Sequence, residues 1–343
     1  MKKILFAAAV MAAALFASCD KNDETINSVI PEAADGARIA ITLTGAGDTE
    51  TRAFFDTTAK AEAWESSLST LSVFAFDNGG TLIVRRDFSS AELASKSATF
   101  ALPKSTAGTE CSFYAVANYD ASSAKTKAAL MALVENSVAA YNGTFDEVST
   151  AAKRSGGFVM SGFATKTVGA VNTTTSVGIT LKRTVAKVAV QTTVDPLFAN
   201  KYSGTLTINS VKLSKAASQS LVAAGTPTPG TMTFSHTQTP AEASGNYNAL
   251  FYCFENGALA AGSRVLLEIN ATYDPDGNAS TTDDRSEVTY SIELTGKAAG
   301  EILRNGYYRI AANITGLVGQ DCAVSVTVAD WETPVTQNID LGA

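Results

Sequence analysis

Short stretches in which apolar and polar residues alternate recur along nearly the whole chain, separated by turn residues at short intervals. Alternation with a period of two places every second side chain on one face, which is the pattern of a half-buried strand. In the first half such stretches fall at 68–77, 81–87, 98–102, 111–118 and 158–165. In the second half they fall at 205–214, 231–235, 249–255, 264–273, 287–295, 307–314 and 323–331. Asn78-Gly79-Gly80 reads as a hairpin turn between two of them. Many short strands with regular turns predict an all-β chain arranged as sandwiches. One region departs from this. Residues 121–134 (ASSAKTKAALMALV) carry Ala129, Leu130 and Leu133 at helical spacing and predict a short helix, with 139–157 as a loop or second helical turn.

The longest strand candidate is 176–194, SVGITLKRTVAKVAVQTTV. Its length suggests a strand that leaves one sandwich and enters another, with a boundary near Thr184. A chain of 343 residues is also long for one sandwich and suits two. The expected organisation is a signal peptide at 1–18, a propeptide at 19–52, a first sandwich with a short helical insertion at 53–184, and a second at 185–343.

The N-terminus carries export information. Lys2 and Lys3 precede an apolar run from Ile4 to Phe16, and small residues follow at Ala17 and Ser18. This is the layout of a secretory signal, and the run is too short to span a bilayer, which takes about 20 residues. Ala17-Ser18-Cys19 resembles a bacterial lipobox, in which the bond between Ser18 and Cys19 is cut and the Cys19 thiol is acylated, for instance by palmitate. The acidic, polar Lys21-Asn22-Asp23-Glu24 after it resembles the short signals that send lipoproteins to the cell surface. Each buried acyl CH2 contributes about 0.8 kcal/mol, so several chains hold firmly.

Composition excludes several classes of activity. The net charge is −7 and the basic residues are scattered, so no nucleic-acid footprint exists. The single histidine, His236, sits in a polar FSHTQ context and reads as a solvated turn residue rather than a catalytic base. No phosphate-binding glycine loop is present. Asp274-Pro275-Asp276-Gly277-Asn278 begins like a calcium loop, but Arg285 stands where a bidentate glutamate belongs, so a hairpin loop is the better reading. No catalytic residue, metal ligand or cofactor is expected. Besides Cys19, the cysteines are Cys111, Cys253 and Cys322, each in an apolar strand context. They read as small buried hydrophobes, with a Cys253–Cys322 bridge open to an exported protein.

Two segments near the ends form a complementary pair. Arg38–Thr44 alternates Ile39, Ile41 and Leu43 with Ala40, Thr42 and Thr44, so one face is apolar. A Gly/Asp/Thr linker then leads to a single basic bond, Arg52-Ala53. A strand of this kind would fill a slot along a sandwich edge, and cleavage at Arg52 would free that slot. After Trp331 the tail places Val335, Ile339 and Leu341 on one face, with Gln337 between them. It could fold back on its own domain or fill a neighbour's slot by main-chain pairing. A head-to-tail contact of that type does not close and so builds a filament.

The chain resembles the fimbrillin family, the lipoprotein-derived pilins of type V pili. The resemblance rests on 71–77 (LSVFAFD), 181–188 (LKRTVAKV), 251–256 (FYCFEN), 304–310 (RNGYYRI) with 314–316 (ITG), and 324–331 (VSVTVADW). It implies two transthyretin-like β-sandwich domains and export as an outer-membrane lipoprotein through lipoprotein export machinery. It further implies cleavage by an arginine-specific or trypsin-like protease, here after Arg52. Ile39, Ile41 and Leu43 then form a surrogate strand, and Val335, Ile339 and Leu341 of a neighbouring subunit replace it. A cut site together with a tail points to a stalk subunit of an extracellular fimbrium, partnered by copies of itself or related pilins. The alternatives are a tip or accessory adhesin that binds a host protein or glycan, and an uncleaved surface glycan-binding lipoprotein.

Overall fold

The computed structural model describes residues 36–45, 61–223, 232–296 and 299–318, together with the backbone of a last strand. The first half contains β1 (Ala37–Thr44), β2 (Leu71–Phe76), β3 (Leu82–Asp87), β4 (Ser97–Leu102), β5 (Glu110–Ala117), β6 (Val134–Glu135), β7 (Met160–Thr167), β8 (Thr174–Thr180) and β9 (Lys182–Arg183). The second contains β10 (Val185–Val194), β11 (Thr205–Ala216), β12 (Ser220–Leu221), β13 (Phe234–Gln238), β14 (Ala241–Ala243), β15 (Asn246–Phe254), β16 (Leu266–Asp274), β17 (Ser286–Glu293), β18 (Gly306–Ile314) and β19 (Ala323–Asp330). Helices are short: α1 (Ser90–Ser95), α2 (Lys127–Met131), α3 (Phe145–Thr150) and α4 (Phe198–Tyr202). The chain is all-β, as the alternation predicts.

The large sheets fall into two facing pairs. In the first, β4-β1-β8 lies over β3-β2-β5-β7-β9. Their shared core includes Ile39, Ile41, Phe100 and Ile179 from one sheet and Val73, Ala75, Phe113 and Ala115 from the other. In the second pair, β14-β15-β10-β18-β19 lies over β13-β11-β16-β17. Val188, Val190, Phe251 and Ile310 there meet Ile208, Leu213, Leu267 and Ile269.

Strand β2 is buried along its entire length, although alternation would expose every second residue. The cause is a third layer. Leu71, Val73 and Ala75 face the first core, while Phe74 and Phe76 face Ala121, Ala124 and Leu130 around α2 on the outer side. The helical insertion therefore covers the back of this sheet. It is shorter than the expected 121–134: Thr126 caps α2, accepting from the Ala129 N–H, and the helix ends at Met131. Val134 and Glu135 instead pair as β6 with Leu221 and Ser220 of β12, reaching the second half of the chain. Within 139–157 the structure has one 3-10 turn, Val138–Tyr141, and α3, capped reciprocally by Thr144 and Glu147.

The single strand expected at 176–194 is broken into β8, β9 and β10. Its breaks fall at Leu181 and Thr184, both buried. The Thr184 N–H donates to the Val159 carbonyl, which turns the chain between the sheets. β9 pairs with β7 in the first pair of sheets, and β10 pairs with β15 and β18 in the second.

Candidate functional site

Strand β1 is not an edge strand, contrary to the expectation above. It runs through the middle of a three-stranded sheet, antiparallel to β4 and parallel to β8. Alternation reveals which face is apolar but not how many neighbours flank the strand, and here both flanks are paired. Ile39 lies opposite Phe100 and Thr175, and Ile41 opposite Ala98 and Val177. The ladders are closed at both ends: Arg38 N–H donates to the Thr173 carbonyl at 3.0 Å, Leu43 N–H to Lys96 at 2.9 Å, and Leu181 N–H to Thr44 at 2.9 Å.

The inward face of β1 is Ala37, Ile39, Ile41 and Leu43, exposed by 0, 0, 1 and 4 %. Burying three such large side chains contributes roughly 5–9 kcal/mol. Ala40 is half-buried, while Arg38, Thr42 and Thr44 face outward. Gly45 ends the strand with φ of +81°, and a side chain there would meet the Leu181 carbonyl at 2.5 Å. At the other seam Gly162 lets β7 approach the end of β8, where a Cβ would lie 2.2 Å from the Thr180 carbonyl. Without β1, strands β4 and β8 would each carry an unpaired edge above an apolar floor of Val73, Ala75, Phe113 and Ala115.

A second feature escapes sequence reading. The segment after the linker forms a 3-10 turn, Ala63–Ser66, and carries Glu65 into the space between the two halves. Glu65 and Lys187 are fully buried and 2.7 Å apart. Tyr252 donates its hydroxyl to Glu65 at 2.8 Å. Arg183, also fully buried, donates Nε to the Glu65 carbonyl, Nη2 to Ser66 Oγ and Nη1 to Asn305 Oδ1, all within 2.9 Å. Burial pulls the Lys187 ammonium below the usual lysine range, and Glu65 partly restores it. Nearby, Arg304 pairs with Glu255 and donates to the Leu221 carbonyl at 2.7 Å. The Glu65 carboxylate also accepts from the Glu62 N–H at 2.8 Å. No local signal marks Glu65 as a residue of this joint, because its partners across the joint lie more than a hundred residues away.

Cys19, the Ser18–Cys19 bond, Arg52, Ala53, Cys322, Trp331, and Val335, Ile339 and Leu341 lie outside the described residues. Cys111 and Cys253 are buried free thiols, and burial pushes Cys253 up to about 12. His236 is not in a turn but in β13. Its Nε2 lies 2.9 Å from the Gly143 carbonyl and its ring stands edge-on to Phe251. Asp274, Asp276 and Asp284 cluster in the β16–β17 loop, where Arg285 Nε donates to Asp274 at 3.1 Å and the Gly277 N–H at 2.9 Å. These bonds hold Asp274 within a hairpin loop, while Asp284 Oδ1 is buried without a hydrogen-bond partner among the described residues.

The model of the fimbrillin-A associated anchor proteins Mfa1 and Mfa2 matches residues 34–336 of this chain. No curated protein matches it. Among solved structures, a Parabacteroides distasonis protein described as a cell adhesion protein superposes with a TM-score of 0.60 at 16% identity, covering 88% of this chain and 99% of that one. A Bacteroides eggerthii protein described in the same way gives 0.57 at 20% identity, with 87% and 96% covered. The tip fimbrial protein Mfa3 of Porphyromonas gingivalis, truncated at its C-terminus, gives 0.54 at 14% identity, with 86% and 99% covered. These likenesses speak to the sandwich fold, and the family match spans both pairs of sheets. The chain belongs to the fimbrillin-A associated family of fimbrial proteins.

Proposed function

We propose that this protein is a polymerising stalk subunit of a surface fimbrium, in which β1 is a temporary strand. The observation that carries this reading is the placement of β1: it is central to its sheet and supplies a complete apolar face. Its covalent link to the rest of the chain also runs through the segment that holds Arg52. In this reading the precursor is exported as a lipoprotein acylated at Cys19. It is then cut between Arg52 and Ala53 by an arginine-specific or trypsin-like protease. β1 leaves, and the tail of another subunit, through Val335, Ile339 and Leu341, enters along β4 and β8. The two pairs of sheets act as two domains that meet at Thr184. The lipid leaves with the propeptide, so the mature subunit is extracellular.

A second reading is favoured by the name of the matching family model, which is that of anchor proteins, and by the likeness to a tip protein. In it the chain is a terminal or accessory subunit. Mass spectrometry of the mature N-terminus on cell-surface material separates the two. Ala53 as the first residue supports the stalk reading, whereas an acylated Cys19 at the start of material incorporated in fimbriae overturns it in favour of an anchor. Deleting 333–343 is expected to abolish polymers while the monomer stays folded, and normal polymers from that variant would sink strand donation by the tail.

A further inference from the structure

The chain on the two sides of Arg52 is held by two different kinds of contact. Upstream, β1 is held by backbone ladders and by alternating apolar side chains. Contacts of this kind can be supplied by another strand with a similar pattern. Downstream, residues 61–70 contain no strand, yet they are fastened by contacts of individual side chains, some their own and some reaching their backbone from elsewhere. Glu65 meets Lys187 and Tyr252, and Arg183 grips the Glu65 carbonyl and Ser66. Trp64 packs on Phe158 with ring centroids 5.9 Å apart. Asn118 completes the segment: its Nδ2 donates to the Ser67 carbonyl at 2.8 Å, and its Oδ1 accepts from the Ser69 and Thr70 N–H groups. Asn118 holds this position with φ of +60°.

The two fastenings also differ in reach: β1 is held by one pair of sheets, whereas residues 61–70 are held by both, since Arg183 lies on β9 and Asn118 follows β5 of the first pair. β1 is bound only within the first pair of sheets, to β4 and β8. Glu65 is bound to the second, through Lys187 on β10 and Tyr252 on β15, while Arg183 ties it to Asn305 beside β18. Both attachments nevertheless come close together, because Leu181 bonds the end of β1 and Arg183, two residues on, bonds Glu65.

We propose that residues 61–70 are a built-in clasp, which keeps the new N-terminal end of the cut chain seated between the two pairs of sheets while β1 is withdrawn and replaced. The proposal rests on the reading of β1 as a temporary strand. The clasp would make exchange local: the slot opens, but the joint between the halves keeps Glu65, Lys187 and Arg183 in place. A subunit lacking it would lose its order at the joint as soon as β1 left.

Native-state hydrogen exchange on the uncut full chain, followed through increasing low concentrations of denaturant, tests the clasp without any protease. The amides of Arg38 and Leu43 report β1, and those of Ser69 and Thr70 report the clasp. β1 is expected to open in a separate step, with protection at Ser69 and Thr70 at least about 100-fold higher. One common opening step for all four amides overturns the proposal. Ile41→Asp, which places a charge in the slot, is expected to abolish protection of β1 and leave the clasp protected; loss of both while β11 and β16 stay protected also overturns it. Glu65→Gln is expected to bring the two steps together, and two unchanged steps in that variant would show that the pair with Lys187 is not the fastening. A chain never cut at Arg52 on the cell refutes the proposed processing but leaves these opening steps as they are, so the two failures are distinguishable.

Discussion

Ile41→Ala in β1 separates a temporary strand from a permanent one. Ile41 is 1 % exposed and stands between Ala98 of β4 and Val177 of β8, above the floor formed by β2 and β5. Hydrogen-bonded ladders hold the backbone on both sides, so the site has little freedom to collapse onto the space left by the lost atoms. Substitutions of this kind cost about 2–5 kcal/mol. In the precursor that loss weakens the hold on β1 directly. If the contact is gone when the strand begins to withdraw, each 1.4 kcal/mol is a factor of ten, so β1 should leave about 25 to 4,000 times faster.

In the finished filament the same substitution should have no effect, because β1 would no longer be there. The assay has two arms. A labelled peptide matching 333–343 is added to protein cut at Arg52, and its uptake is timed for wild type and variant. Filaments grown from each precursor are then compared for dissociation in hot detergent. Faster uptake with unchanged filament stability is the expected pair of results. Filaments weakened by the substitution would refute the reasoning, since β1 would then be part of the mature subunit.

Three further outcomes follow from the geometry. Gly45→Ala would force a side chain towards the Leu181 carbonyl at positive φ, and is expected to cost the precursor about 1–3 kcal/mol, read from the denaturation midpoint. Lys187→Met leaves Glu65 buried without its cation and is expected to cost about 3–5 kcal/mol, with the double variant Glu65→Gln, Lys187→Met recovering part of it on chemical denaturation. Burial raises the ionisation of Cys253 to about 12 and pushes Tyr141, Tyr252, Tyr307 and Tyr308 well above the usual tyrosine value, so the unfolded chain releases these protons first. Stability should therefore fall by about 1.4 kcal/mol per pH unit above about pH 9 through Cys253, and by a further similar amount for each tyrosine above about pH 10, measured by urea unfolding between pH 8 and 11.

Much of the architecture was legible because strands write a period of two into the sequence. The apolar face of β1 could be read from Ile39, Ile41 and Leu43 alone. Its central position could not, since the number of neighbours is decided by which strands return beside it, and β8 lies more than a hundred residues away. Strand β2 has a similar limit: alternation reads as one buried face, and nothing local names α2 as the cover of the other. Helical spacing over-extended α2, because Val134 and Glu135 gain a ladder with β12 that no local signal announces. The joint was legible in a different way. The stretches 181–188, 251–256 and 304–310 stood out as family-like strings, and the structure brings Arg183, Lys187, Tyr252, Glu255, Arg304 and Asn305 together from them. Glu65, the partner of Arg183, Lys187 and Tyr252, came from a stretch with no such character.

The central position of β1 also constrains how a subunit of this kind could polymerise. An edge strand can be lost at the cost of one ladder, whereas losing β1 opens two ladders and the floor of the core together. A cut at Arg52 removes the covalent link but none of these contacts, so cutting alone does not empty the slot. An empty slot would expose unpaired edges on β4 and β8 and forfeit the roughly 5–9 kcal/mol of apolar burial. That state is too costly to accumulate in a protein whose whole stability is about 5–15 kcal/mol. Exchange through a fully empty subunit would therefore be slow. Replacement should proceed residue by residue, with the arriving strand taking each position as β1 gives it up. The arriving strand must also satisfy two partners of opposite direction, antiparallel to β4 and parallel to β8, which fixes its polarity. A cross-linker at the N-terminal end of a tail peptide should thus react beside Leu102 of β4 and Thr174 of β8, as Ala37 and Arg38 of β1 are placed, and reaction at the opposite ends of those strands would disprove this pairing.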